Sequence, residues 1–247
     1  MSSLPAPYAR PAGLVALATA AIVLILAALY VIAAIAPPDV TLGIVQKIFY
    51  FHVGSAFAML LCLSAGAVLS LIDLLSPSDR IDALARALIE TGLVFALMVL
   101  TSGPLWARKS WGAWWTWEPR LTLTLLVMLV TLGVVAVRSL AQGPAGRRIG
   151  AAMATLAGPT SYLIHIAVQK WGGTHPQVIQ GGGIQNSAMR MAFWLGVAAL
   201  LTLGATLTAL RFRGLRLEHQ LGLLRLDIQA RDLRRARKAA QSKGEVQ

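Results

Sequence analysis

Cysteine is almost absent from this chain. The single Cys62 lies inside an apolar run, which excludes an intrachain disulfide and a cysteine-ligated metal cluster and leaves it the role of a small apolar filler. Charge is nearly as scarce. Only 13% of the 247 residues are charged while 57% are hydrophobic, a balance that excludes a soluble domain of this length. Acids are rarest, ten against 22 Lys and Arg, for a net charge of +12. Such an excess would suit nucleic acid, but ten of the 22 cations lie between Arg211 and Lys243. In a membrane protein that clustering reads as topology and lipid contact, with no nucleic-acid partner.

What the sequence does contain is long apolar runs. Six segments, approximately 13–36, 48–75, 84–104, 121–140, 148–170 and 188–210, are each near the roughly 20 residues that a helix needs to cross a hydrocarbon core. The first is too long for the apolar part of a secretory signal and is read as a span. The expected fold class is therefore an all-α integral membrane protein with six transmembrane helices. With both termini cytoplasmic, the inner side carries 16 of the basic residues and the outer side 6, as the positive-inside rule requires. Two regions follow: a six-helix transmembrane domain over 1–210, and a basic amphipathic cytoplasmic tail over 211–247. In the tail Leu217, Leu221, Leu224 and Ile228 recur at helical spacing among arginines, which suits an anionic membrane surface or a cytoplasmic partner. Glu90, near the inner end of the third span, is read as interfacial.

One stretch departs from this pattern. Between the third and fourth spans, Trp106 to Arg120 holds five of the seven tryptophans in fifteen residues. Gly103-Pro104 is expected to end the third span, and Pro119 to open the fourth helix with Glu118 near its N-terminus. An aromatic belt explains tryptophan at this depth, because the ring is apolar and its N–H seeks water. It does not explain Gly112, Glu118 or the cations Arg108, Lys109 and Arg120, which are half of all the outer cations. If the stretch is helical, Trp111, Trp114, Trp115 and Glu118 share one face. Flat aromatic surfaces beside basic residues suit a planar, hydrophobic, anionic ligand.

Histidine narrows the ligand. His219 falls in the tail, whereas His52, at the start of the second span, His165, near the end of the fifth, and His175, in the glycine-rich loop after Trp171, all belong to the outer half. Phe49, Tyr50 and Phe51 are read as marking the outer interface just before His52. Neutral imidazole is a standard axial ligand of haem iron, and two close its coordination sphere. A macrocycle with two propionates would account for the aromatics, the displaced cations and the histidines together. A membrane b-type cytochrome serving quinone would instead place paired histidines deep in two spans. A small-molecule permease would show polar or broken helices at mid-membrane.

The run Trp111-Gly112-Ala113-Trp114-Trp115-Thr116-Trp117-Glu118-Pro119-Arg120-Leu121-Thr122 resembles the tryptophan-rich signature of the haem-handling proteins of cytochrome c biogenesis. Length, span number and flanking histidines resemble their shortest branch, the haem exporter protein C (cytochrome c maturation protein C) family, over almost the whole chain. The chain carries Glu118 where that family usually has Asp, and Pro119 where it usually has Ala. The resemblance implies haem b as cofactor, ligated by His52 and His175, with Trp111, Trp114, Trp115, Trp117, Glu118, Arg120 and Arg108 around it. His165 has no counterpart and is left to packing. It implies a handling protein of the bacterial inner membrane, not an enzyme. Its partners would be a periplasmic haem chaperone (protein E of the system), the ATPase and membrane subunits of an ABC-type complex, a small single-helix subunit (protein D) and membrane lipid.

Overall fold

The computed structural model describes residues 12–141, 143–173, 184 and 186–244, with the backbone alone at 165, 168 and 236–244. Its regular elements are all helical: α1 (Ala12–Tyr30) with a π-helical turn at Val31–Ile35, a 3-10 turn at Ile44–Gln46, α2 (Lys47–Leu75), α3 (Asp79–Trp111), α4 (Pro119–Leu140), α5 (Gly143–Trp171) and α6 (Ser187–Gly244). Among the described residues the only β-type pairing is an isolated bridge between Asp39 and Gly43. Five of these helices, α1 to α4 and α6, are long and apolar enough to cross a membrane. The fifth in order, α5, has 29 residues and lies in the same bundle, but among the described residues it does not qualify.

The bundle is built around α2 and α3. A side chain at Gly92 would strike Leu63, one at Gly66 would strike Ile89, and one at Gly103 would meet His52, so the two helices run antiparallel in fixed register. Met59, Leu63, Ile89, Phe95 and Val99 form the central core with Val127 and Val134 of α4 and Leu200 of α6. Small residues dominate the interfaces: Ala67, Ala85, Ala87, Ala96 and Ala157 are buried, while Leu61, Val68, Leu71, Leu97 and Leu129 point outward. That inside-out distribution is what a lipid-facing bundle requires, because close helix approach depends on small residues and lipid solvates the large ones.

Two helices differ from expectation. Instead of ending at Gly103-Pro104, α3 carries Pro104 inside it and runs on to Trp111. Proline costs a helix interior about 3 kcal/mol. The extra turns are held against that cost by buried Ala107 and by Trp106, whose Nε1 reaches Gln46 Oε1 at 3.4 Å. The last helix, α6, does not stop at Leu210. The whole helix spans 58 residues, Ser187–Gly244, about 87 Å at 1.5 Å per residue. Leu215 packs against Ala83 and Ala87 just past the expected boundary, and from Glu218 to Arg235 every described side chain is exposed.

One end of the bundle is ionic. Arg147 donates to Asp73 from Nη2 at 2.5 Å and from Nε at 3.0 Å, and to Asp79 at 2.6 Å. Arg138 donates to Asp82 at 2.5 Å, and Glu90 accepts from Arg86 at 2.7 Å and from Arg211. Hydrogen bonding to Asp73 raises the Arg147 guanidinium above its usual value, so it stays charged. Glu90 is thus a structural ion-pair residue joining α3 to α6.

Candidate functional site

The opposite end gathers the start of α2, the end of α3, the start of α4 and the start of α6. Lys47 opens α2 and donates through Nζ to the carbonyl of Ala33 at 2.8 Å, tying α2 to the turn after α1. Tyr50 and Gly54 then meet α6 almost backbone to backbone. A Cβ at Gly196 would lie 3.2 Å from the Tyr50 carbonyl oxygen, and one at Gly54 would lie 3.1 Å from that of Gly196. Phe49 and Tyr50 are buried, with Phe49 stacked on Phe193 at 5.8 Å. They therefore pack inward at this end of the bundle, while Phe51 is half-buried.

With positions 50 and 54 facing α6, His52 lies about 200° further round the helix and faces α3. Its Nδ1 is 3.0 Å from the Ser102 hydroxyl oxygen, and its Cε1 occupies the space that a Cβ on Gly103 would need, 3.1 Å away. The Ser102 hydroxyl donates in turn to the Met98 carbonyl at 2.6 Å. Arg120, at the start of α4, lies within electrostatic reach of both His52 and Glu118.

One turn beyond Ser102 stands Trp106, edge-on to Trp111 at 5.6 Å. Gly112, with φ of 74°, ends α3 in the left-handed region, and its carbonyl accepts from Arg108. Residues 113–118 are not helical. The expected common face of Trp111, Trp114, Trp115 and Glu118 is thereby corrected: a left-handed glycine cannot propagate the helix, and the tryptophans fall into separate groups. Trp114 and Trp117 stand out, 57% and 76% exposed. Trp115 is half-buried and edge-on to Trp117 at 5.8 Å. Glu118 is the extended N-cap residue of α4 and Pro119 its first helical position, as expected, although the Glu118 side chain makes no capping hydrogen bond.

The polar atoms of this segment fit an anionic, planar ligand. Ser110 Oγ, Trp115 Nε1 and Thr116 Oγ1 are enclosed with no hydrogen-bond partner among the described residues. Buried donors of this kind call for a further partner, such as a carboxylate or water. Of the two acids at this end, Asp39 spends its Oδ1 on the backbone N–H groups of Thr41 and Leu42, both at 2.8 Å. Arg108, Lys109, Lys170 and Arg190 are exposed, so the end keeps a positive surface. Exposed indoles, an imidazole and cations suit haem and its propionates. The structure thus brings His52, Trp111 and Arg120 to one end with Trp114, Trp115, Trp117, Glu118 and Arg108. His175 lies outside the described residues, as does the side chain of His165. Among the described residues there is no group of three or more His, Cys, Asp and Glu that could hold a metal ion.

Sequence reasoning missed Ser102, Gly103 and Gln46 as parts of this site. The signal was present in the spacing, since Ser102 lies one turn before Trp106 on the same face. The expected helix end at Gly103-Pro104 concealed it.

The family model described as "Heme exporter protein C" matches residues 8–228. The "Heme exporter protein C" of Escherichia coli K12 is 30% identical over 186 residues, covering 73% of this chain and 74% of that protein. Its namesake in Bradyrhizobium diazoefficiens is 32% identical over 170 residues, covering 68% and 64%. A "Putative cytochrome c biosynthesis ccmC-like mitochondrial protein" of Marchantia polymorpha is 32% identical over 108 residues, covering 44% and 47%. With the family match extending from before α1 into the exposed part of α6, the chain belongs to the heme exporter protein C family.

Proposed function

We propose that the aromatic end of this bundle binds haem b at the periplasmic face of the bacterial inner membrane and presents it to a periplasmic haem chaperone during c-type cytochrome maturation. In this reading α5 is the sixth span, both termini are cytoplasmic, and the six-helix domain ends near 210, where the basic tail begins. The names of the relatives associate those proteins with haem export and cytochrome c biosynthesis. The partners would be the ATPase and membrane subunits of an ABC-type complex, a small single-helix subunit (protein D) and the chaperone (protein E). Haem brings the iron. The chain's own residues would hold it: His52 and His175 would ligate the iron, Trp111, Trp114, Trp115 and Trp117 would supply the apolar surface, Arg108 and Arg120 would meet the propionates, and Glu118 would stand beside Arg120. The exposed Trp114 and Trp117 would keep the bound group open to a carrier on the outer side. No bond-making chemistry is assigned to the chain.

The single observation that carries this reading is His52, seated by α3 at the one end of the bundle where exposed indoles and excess cations gather. The test is haem carried by the chaperone after co-expression with the complex. Both His52→Ala and His175→Ala are expected to lower it by about tenfold or more, with His165→Ala near wild type. Full loading with both variants would contradict the ligand assignment.

A further inference from the structure

We infer that Ser102 is a positioning residue that fixes the tautomer of His52, holding the imidazole proton on Nδ1 so that Nε2 carries the lone pair offered to iron. This rests on the haem-binding reading and extends it to a residue outside the ligand set. A serine hydroxyl has one proton and two acceptor lone pairs. Ser102 Oγ lies 2.6 Å from the Met98 carbonyl oxygen. A carbonyl has no proton to give, so at that separation the hydroxyl proton must lie between the two oxygens. The same Oγ lies 3.0 Å from His52 Nδ1 and has only a lone pair left for it. The hydrogen bond therefore runs from Nδ1–H to Ser102. In a neutral imidazole the second nitrogen is then the acceptor.

The seat is rigid as well as directional. The bond to Met98, four residues back, anchors the Ser102 side chain to the backbone of α3. Gly103, the next residue, leaves the room in which His52 Cε1 lies, and a Cβ there would come within 3.1 Å of that atom. Ser102 thus sets the proton and Gly103 the room, both from one turn of α3. Ligating histidines commonly have the non-ligating N–H held by an acceptor that fixes ring orientation and raises basicity. Here that acceptor is a hydroxyl whose own proton is already committed.

The test uses the full chain in detergent, labelled with 15N-histidine and free of haem, at a pH where His52 is neutral. The His52 signals are identified by their loss in His52→Ala. In the wild type we expect a protonated, pyrrole-type Nδ1 and a pyridine-type Nε2. Ser102→Ala should move proton density to Nε2, and Ser102→Thr, which keeps the hydroxyl, should restore the wild-type pattern. Ferric haem titration of the same proteins should show about tenfold weaker binding for Ser102→Ala and near-wild-type binding for Ser102→Thr. A pyridine-type Nδ1 in the wild type, or a Ser102→Ala spectrum identical to it, overturns the inference even if haem binds normally. Unchanged haem affinity despite a shifted tautomer overturns the positioning role. Absence of haem binding by every form, with the tautomer as expected, overturns the haem reading instead.

Discussion

At the end formed by the close of α2, the start of α3 and the turn into α5, Asp73, Asp79, Asp82 and Glu90 each meet an arginine. At the other end six cations, Lys47, Arg108, Lys109, Arg120, Lys170 and Arg190, share two acids, Asp39 and Glu118, and Asp39 is engaged with its own turn. The difference shows what charge does in each place. Paired inside the bundle, it joins helices that apolar packing alone would leave free to slide. In excess beside exposed tryptophans, it gives the surface a positive character, even though Lys47 and Arg108 also bond backbone carbonyls there. One end pairs its charges; the other leaves cations in excess of acids.

That comparison can be broken from the ionic side, where the largest effect is expected. Arg147→Ala would strand Asp73, whose side chain is 3% exposed. Removing one partner of a buried pair costs about 3–5 kcal/mol. A thermal melt in detergent should fall markedly, whereas haem affinity of the protein that remains folded should match wild type. Replacing both partners, Asp73→Asn with Arg147→Met, should recover most of the loss, because the buried charge is gone and Asp79, which also loses Arg147, is exposed. A fall in haem affinity without a fall in stability would contradict the division between the ends.

A smaller effect sharpens the comparison at the aromatic end. Arg108 and Lys109 are exposed, and solvent-exposed ion pairs contribute about 0.2–1 kcal/mol each. Replacing both with alanine should weaken ferric haem binding by roughly 2- to 30-fold at low salt, with little change in melting temperature. The deficit should vanish near 1 M salt, where screening acts over about 3 Å. A salt-independent loss would show that these residues shape the segment, as the Arg108 bond to Gly112 does, more than they attract an anion.

Much of this organisation was legible in the sequence, for physical reasons that also define what was not. Apolar runs near the length of a bilayer gave the helices, because that length is set by the hydrocarbon and not by the fold. His52 and the tryptophans stood out because their chemistry is unusual for an apolar helix. Helix ends were harder to read. Gly103-Pro104 looked like a terminus, yet Trp106 and buried Ala107 anchor α3 beyond it, a tertiary contact that local propensity does not contain. Gly112 was visible as a glycine, but its φ of 74° and the resulting loss of a shared tryptophan face were not. Phe49 and Tyr50 face inward because Gly54 and Gly196 bring α2 and α6 together, and sequence spacing within α2 cannot show which neighbour will be glycine. Ser102 could be reached only through its spacing to Trp106, because its partner His52 lies fifty residues away in the chain.

The most direct test of the central claim is a ferric haem titration of the detergent-purified full chain, wild type against His52→Ala, with helix content followed by circular dichroism. The account predicts a six-coordinate, low-spin Soret spectrum for the wild type. For His52→Ala it predicts loss of that signature and at least about 100-fold weaker binding at unchanged helix content. A variant that keeps both the spectrum and the affinity of the wild type would contradict it.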